Sequence, residues 1–137
     1  MAGIGRILDC NQLVGERTTS QILETWKDGI FLKKEDITRN SKGLRSPQIG
    51  AIYATLSHWE ISADPATVVM PTGTGKTEVM LSLLIAASCY KTMIVVPTDA
   101  LRTQISNKVA SLGLLGDPQF DLIKETVLKP IVGVMSH

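Results

Sequence analysis

Apolar positions along the chain change from helical spacing to short continuous runs and back. Residues 18–30 combine a capping box with apolar residues at intervals of four, which predicts an amphipathic helix. A polar stretch of turn-forming residues follows and predicts an exposed linker. We therefore expect residues 1–43 to form a helical N-terminal segment. The pattern is carried by Thr18 and Gln21 in the capping box and by Ile22, Trp26 and Ile30 on the apolar face.

Residues 44–137 alternate helical patterns with short apolar runs. Helices are predicted to begin near Ser46, Thr77 and Thr98. The runs at residues 66–70, 92–97 and 130–136 predict three strands. This order is typical of an α/β fold in which a parallel sheet carries helices on its faces, because parallel strands need long crossover connections.

The sequence MPTGTGKT, residues 70–77, separates the first predicted strand from the next helix. It matches the phosphate-binding pattern at Gly75, Lys76 and Thr77, with Met70 in place of the first glycine. Glycines allow backbone N–H groups to face a polyphosphate, and the N-terminus of the following helix adds a positive dipole. In such loops the lysine contacts the β- and γ-phosphates and the threonine hydroxyl binds Mg²⁺. We therefore expect a polyphosphate site in which Lys76 and Thr77 have catalytic roles.

The same sequence resembles motif I of superfamily 2 helicases and related DNA or RNA translocases. The resemblance implies a partial RecA-like domain of the P-loop NTPase class at residues 44–137, with ATP and Mg²⁺ as cofactors. It also implies nucleotide contacts along the whole loop. The loop residues concerned are Pro71, Thr72, Gly73, Thr74, Gly75, Lys76 and Thr77.

Two further segments resemble motifs of these enzymes. LRSPQIGAIYATL resembles the segment upstream of motif I that recognises adenine, which implies this role for Arg45 and Gln48. A glutamine amide has both a donor and an acceptor for a base edge. VVPTDALRTQ resembles motif Ia, which contacts the phosphates of a bound strand. The matching positions are Pro97, Thr98, Leu101 and Gln104, while Asp99 stands where an arginine is frequent and Arg102 offers a replacement charge.

Composition restricts the function less than these motifs do. A net charge of +1 provides no overall electrostatic attraction for nucleic acid, so any contact depends on a local surface. The longest apolar run is much shorter than the ~20 residues of a membrane span, which predicts a buried helix and no membrane contact. Cys10 and Cys89 lie too far apart in sequence for a metal or disulfide motif. We interpret them as reduced thiols of a cytoplasmic protein.

Hydrolysis of ATP in this class needs an Asp-Glu pair after a later strand, to hold Mg²⁺ and activate water. The sequence has no Asp-Glu dipeptide, and its one adjacent acidic pair is Glu35 and Asp36 in the linker. We expect a fragment that stops before the Asp-Glu motif. Such a fragment binds ATP without hydrolysing it, whereas the parent hydrolyses ATP and acts on DNA or RNA.

Two alternatives remain open from the sequence. The chain is part of another P-loop ATPase or a small-molecule kinase, although such kinases usually carry the loop closer to the N-terminus. Alternatively, residues 1–43 dock a protein partner through the apolar face around Trp26. Such faces more often bury within their own protein.

Overall fold

The computed structural model describes the backbone of residues 6–10 and 17–136 and the side chains of residues 17–135. These residues make up the described part of the chain. The elements are β1 (Arg6–Cys10), α1 (Thr19–Trp26), α2 (Ser46–Ile61), α3 (Lys76–Ala86), α4 (Asp99–Ser111), a 3₁₀ turn (Gly113–Gly116) and β2 (Gly133–Ser136). None of the helices found in it is long and apolar enough to cross a membrane.

Helix α1 forms where the capping box predicts it. The Thr18 hydroxyl accepts a hydrogen bond from the Gln21 amide, and the Gln21 side chain accepts one from the Thr18 amide. The apolar face is covered by the same chain, since Ile22 and Trp26 are buried and the Trp26 indole donates to the Leu128 carbonyl at 2.8 Å. Two of the three residues of this face are therefore buried by the chain itself, as is usual for apolar helix faces, while Ile30 is half-buried.

Helix α3 is the most deeply buried helix in the described part of the chain. Six of its eleven residues are buried, and Leu81 and Ile85 are completely inaccessible to solvent. It packs against α2, α4 and the 3₁₀ turn. The predicted apolar helix in this region is therefore confirmed, and the core forms around it.

Helix α4 also begins where its cap predicts, with the Thr98 hydroxyl accepting from the Leu101 amide at 3.3 Å. It is much more exposed than α3, because Val109 is its one buried residue. The helix ends at Leu112, which takes a left-handed conformation before the 3₁₀ turn. Leu112 and Leu115 carry this end of the helix into the core.

The predicted strands at residues 66–70 and 92–97 are not strands in this structure. Their backbones form no hydrogen bonds with each other or with any other backbone group among the described residues. Both segments flank α3, where Val68, Met70 and Ile94 line a cavity of about 320 Å³. Apolar, β-branched composition favours an extended chain, but a strand also needs a hydrogen-bonding partner, and none of the described residues supplies one here.

The one sheet of the described residues is antiparallel rather than parallel. Strand β2 forms inside the third predicted run, 130–136, and pairs with β1 in the register Ile7 to Met135, with an irregularity between Ile7 and Asp9. The predicted parallel sheet is not confirmed. The helical description of residues 1–43 is also incomplete, because that segment contains β1 as well as α1.

Candidate nucleotide-binding site

The loop between residue 70 and α3 turns at two glycines whose backbone is left-handed. Gly73 and Gly75 have φ angles of +80° and +82°, a left-handed conformation that glycine adopts without steric cost. Gly75 is the N-cap of α3, so the helix begins at Lys76. The predicted turn at the glycines and the helix start that follows it are confirmed, although the segment before the turn is not a strand.

The loop presents hydrogen-bond donors without partners. None of the described residues accepts a hydrogen bond from the backbone N–H groups of Gly73, Thr74, Gly75 or Lys76. The first N–H groups of any helix lack partners within the helix and carry the positive end of its dipole. Free donors at a helix N-terminus suit an anionic ligand such as a phosphate.

Side chains from the start of α2 hold the loop from behind. The Arg45 guanidinium donates to the Gly73 carbonyl at 3.1 Å, and the Gln48 amide nitrogen donates to the Gly75 carbonyl at 3.1 Å. The Gln48 amide oxygen accepts from the Arg45 N–H at 2.8 Å. These bonds hold the Gly73 and Gly75 carbonyls towards α2. In a trans peptide the N–H group points opposite to the carbonyl, so the N–H groups of Thr74 and Lys76 point away from α2.

Space around the two glycines differs sharply. A Cβ atom on Gly75 would collide with the Gln48 amide nitrogen, so the Gln48 side chain would have to leave its hydrogen bonds to Arg45 and Gly75. A Cβ atom on Gly73 would meet nothing within 4 Å. The loop is therefore closed on the α2 side at Gly75 and open at Gly73, as a cradle for a ligand requires.

The remaining loop residues surround this opening. Lys76 is exposed and Thr77 is half-buried at the start of α3. The Thr74 hydroxyl donates to the Pro71 carbonyl at 2.7 Å and so closes the turn, while Thr72 is exposed. The exposed lysine and the neighbouring hydroxyl have the positions along the helix that a β,γ-phosphate and its cation require.

The structure also shows a residue that the sequence interpretation overlooked. Glu78 lies one residue after Thr77, and its side chain is buried against the loop with 7% of its surface exposed. Its partner is Lys108 on α4, with 3.8 Å between Nζ and Oε1. The signal available in the sequence was an acidic residue in the first turn of a helix predicted to be buried. A charged residue is rarely buried without a partner, so such a position indicates one elsewhere in the fold.

The four residues matched to motif Ia lie at the start of α4 and its preceding loop. Pro97, Thr98, Leu101 and Gln104 are all exposed. The Thr98 hydroxyl already caps α4.

Arg102, the proposed replacement for the missing arginine, already has a partner. Its guanidinium lies 3.2 Å from the Asp99 carboxylate, one turn away on the same helix. The charge available to a phosphate strand is therefore partly neutralised by Asp99.

Comparison with known protein families identifies the group to which this chain is related. The family model described as type III restriction enzyme, res subunit, matches residues 41–125, which is more than half of the chain. The chain belongs to this family. Its members have the N-terminal domain of superfamily 2 helicases, a RecA-like P-loop domain. No curated protein and no solved structure matches the chain significantly.

The family match includes Arg45, Gln48, the whole phosphate loop and the start of α4, and it begins close to the predicted domain start at residue 44. It supports a helicase-type ATPase domain. The resemblance to superfamily 2 proteins is thus confirmed at the level of the family. The roles of the individual residues stay predictions, which the geometry above makes testable.

The loop residues fit a nucleoside triphosphate with its magnesium ion. The free N–H groups and the open space at Gly73 suit phosphate oxygens, and Lys76 supplies a cation. No cluster of three or more acidic, histidine or cysteine side chains occurs among the described residues. Mg²⁺ held mainly by substrate phosphates, with one protein hydroxyl and water, needs no such cluster.

Proposed function

We propose that this chain is the ATP-binding part of the first motor domain of an ATP-dependent nucleic-acid helicase or translocase. The observation that carries the proposal is the loop at residues 70–77, whose N–H groups lack partners while its carbonyls are held by α2. The family match supports the helicase type of the domain. Together they favour ATP over a simple anion as the ligand.

In the proposed site, each loop residue has a distinct task. The backbone N–H groups of residues 73–76 bind phosphate oxygens, and Lys76 pairs with the β- and γ-phosphates. Thr77 holds Mg²⁺, which neutralises phosphate charge when it is bound. Free amides at the head of α3 and the exposed position of Lys76 support these assignments.

Arg45 and Gln48 act first as supports of the loop. The Gln48 side chain is 4% exposed and already binds backbone on both sides of its amide, at Arg45 and at Gly75. An amide retains one further N–H and one lone pair after these bonds. Adenine recognition by Gln48 stays a prediction of the family resemblance, and it requires the side chain to become accessible.

We further propose that the parent protein binds DNA or RNA at the start of α4. The exposed positions of Pro97, Thr98, Leu101 and Gln104 support a surface of this kind. The ion pair between Arg102 and Asp99 makes the contact weak in this chain. The two cysteines of the sequence, which lie far apart and form no metal or disulfide motif, fit a protein of the cytoplasm.

This chain alone is proposed to bind ATP without hydrolysing it. Glu35 and Asp36, its one adjacent acidic pair, lie before α2, and Asp36 is engaged by the Thr38 hydroxyl and by backbone amides of its own turn. That turn holds the Asp36 carboxylate locally. Without a carboxylate pair at the loop, neither the metal nor the attacking water is fixed for reaction.

The test is a calorimetric titration of the purified chain with ATP and Mg²⁺, followed by a phosphate-release assay. We expect binding in the micromolar-to-millimolar range, about 4–8 kcal/mol, and no turnover with or without single-stranded DNA or RNA. Lys76→Ala should abolish measurable binding, whereas the control Lys91→Ala, at another exposed lysine, should not.

Two results would contradict the proposal. Equal ATP affinity in the wild type and in Lys76→Ala would show that ATP does not bind at the phosphate loop. Phosphate release that disappears in Lys76→Ala would show that a carboxylate of this chain reaches the site after all.

A further inference from the structure

Glu78 places a carboxylate directly behind the phosphate loop. It occupies the first turn of α3, and the Cβ atom that Gly75 lacks would lie 3.1 Å from its Oε2 atom. On the other side, the corresponding position on Gly113 lies 3.9 Å from Oε1. The carboxylate is therefore enclosed between the loop and the 3₁₀ turn, and its residue is 6% exposed.

A negative charge in this position opposes the binding of a polyphosphate. Like charges repel most strongly where solvent screening is weak, as it is for a buried group. A buried carboxylate also destabilises the fold unless a partner compensates it. A positive charge that compensates this carboxylate therefore favours both phosphate binding and the stability of the fold.

The compensating charge comes from a different helix. Lys108 Nζ lies 3.8 Å from Glu78 Oε1, and Lys108 belongs to α4, whose first turn carries the residues matched to motif Ia. Among the described residues this is the one salt bridge of Glu78. The charge state behind the phosphate loop is thus linked to the position of α4.

We propose that Glu78 and Lys108 form a charge-compensating pair that sets the affinity of the phosphate loop for nucleoside triphosphates and couples it to α4. The inference rests on the proposed ATP site and adds a means of regulating it. Glu78 is a positioning residue, because it acts through the loop and through Lys108 rather than on the phosphates themselves. Movement of α4 away from Glu78 leaves the carboxylate uncompensated and weakens triphosphate binding.

The coupling works in both directions. If binding at the start of α4 strengthens the contact between Lys108 and Glu78, it raises the affinity for ATP, and ATP then raises affinity at α4 by the same factor. The Lys108 side chain is 40% exposed, so it has room to approach or leave the carboxylate.

The test compares ATP·Mg²⁺ and AMP affinities of the full chain and three variants by calorimetry. Lys108→Met should weaken ATP binding about fivefold, since a unit charge acts at close range in a medium of intermediate dielectric constant. Glu78→Gln should bind ATP at least as tightly as wild type. The double variant Glu78→Gln/Lys108→Met should return to within about twofold of wild type, and AMP should respond much less than ATP because it carries fewer charges.

Lys124→Met is the matched control, because it removes the same charge from an exposed lysine that forms no ion pair among the described residues. The inference is overturned if Lys108→Met behaves like this control, or if the double variant binds as weakly as Lys108→Met. If Lys108→Met does not fold by circular dichroism, the decision passes to Glu78→Gln, whose weaker binding of ATP would overturn the inference.

A titration of Lys76→Ala in the same series separates this inference from the proposed function. If Lys76→Ala loses ATP binding while Lys108→Met keeps the wild-type ATP affinity, the proposed ATP site stands and the role of the Glu78–Lys108 pair is refuted. Absence of ATP binding in the wild type would refute both.

Discussion

The phosphate loop with α3 and the motif Ia segment with α4 have similar sequence patterns but very different support. Each has a loop of prolines and threonines followed by a helix. The first loop is held through two carbonyls by α2, and its helix has six buried residues. Both loops follow a segment without backbone hydrogen bonds among the described residues, but the second helix buries Val109 alone. The first loop is held in place by the rest of the chain, whereas the second leads into a mostly exposed helix.

The largest expected difference between the two helices is in stability. Leu81→Ala should lower the free energy of unfolding by about 2–5 kcal/mol, because it creates a cavity at a completely buried position. Leu101→Ala, at a position on α4 that is 38% exposed, should cost less than about 1 kcal/mol. Urea unfolding followed by circular dichroism measures both. Equal losses would mean that α4 is buried as deeply as α3.

The next prediction concerns the geometry of the phosphate loop. Gly75→Ala should reduce ATP affinity at least about tenfold, because the new Cβ atom meets the Gln48 amide and the φ angle of +82° disfavours alanine. The control is Gly50→Ala in α2, where a Cβ atom meets nothing within 4 Å. The control should keep ATP affinity and raise the thermal midpoint slightly, since alanine favours helix. Unaltered ATP affinity in Gly75→Ala would show that ATP binding does not depend on the loop conformation at Gly75.

Removal of the support behind the loop should have a smaller effect. Gln48→Ala deletes the hydrogen bond to the Gly75 carbonyl, whose loss is expected to cost about 1 kcal/mol, or about fivefold in affinity. Because that contact is to the loop, ATP and GTP affinities should fall together. A loss confined to ATP would instead establish adenine recognition by Gln48, as the family resemblance implies. Competition titrations with both nucleotides decide between them.

A still smaller effect is expected at the start of α4. Asp99→Ala should free the Arg102 guanidinium and raise affinity for single-stranded DNA or RNA about two- to threefold, given the small energies of exposed ion pairs. The gain should shrink at higher salt. Glu125→Ala, which removes an equal charge from another exposed position, is the control. The same gain in both variants would indicate a general charge effect without a site at α4.

The smallest expected effect is on the alkylation rate of Cys89, which lies between α3 and α4 in the sequence. Burial raises the pKa of the Cys89 thiol, an effect that a hydrogen bond with Thr92 opposes. A raised pKa means that less thiolate is present at a given pH, so alkylation should be slower than for a free thiol and should increase only at higher pH. Iodoacetamide labelling of the Cys10→Ser variant between pH 7 and 10 measures this. A rate equal to that of free cysteine would contradict the burial of Cys89.

Helix positions could be predicted from the sequence because their signals are local. Thr18 and Thr98 cap the helices that follow them, and Gly75 sets the start of α3. Capping depends on residues within one turn, which the sequence contains in order. The phosphate loop belongs to the same class, since its glycines and lysine act through local backbone geometry.

Strand pairing and long-range contacts could not be predicted in the same way. A β-branched run identifies an extended segment but not its partner, which explains the wrong strands at residues 66–70 and 92–97 and the unexpected pairing of β1 with β2. The contacts that Arg45, Gln48 and Glu78 make in the fold could not be predicted either. Their contacts with the loop or with Lys108 join residues far apart in sequence, and only the fold brings them together.

Amide chemical shifts can show whether the phosphate loop is the nucleotide site and is distinct from the surface of α4. In a two-dimensional NMR titration with ATP and Mg²⁺, the amides of Gly73, Gly75, Lys76 and Thr77 should shift most and those of Leu101 and Gln104 least. A single-stranded oligonucleotide should give the opposite order. Shifts from ATP centred on α4, or spread equally over both regions, would show that the phosphate loop is not the nucleotide site.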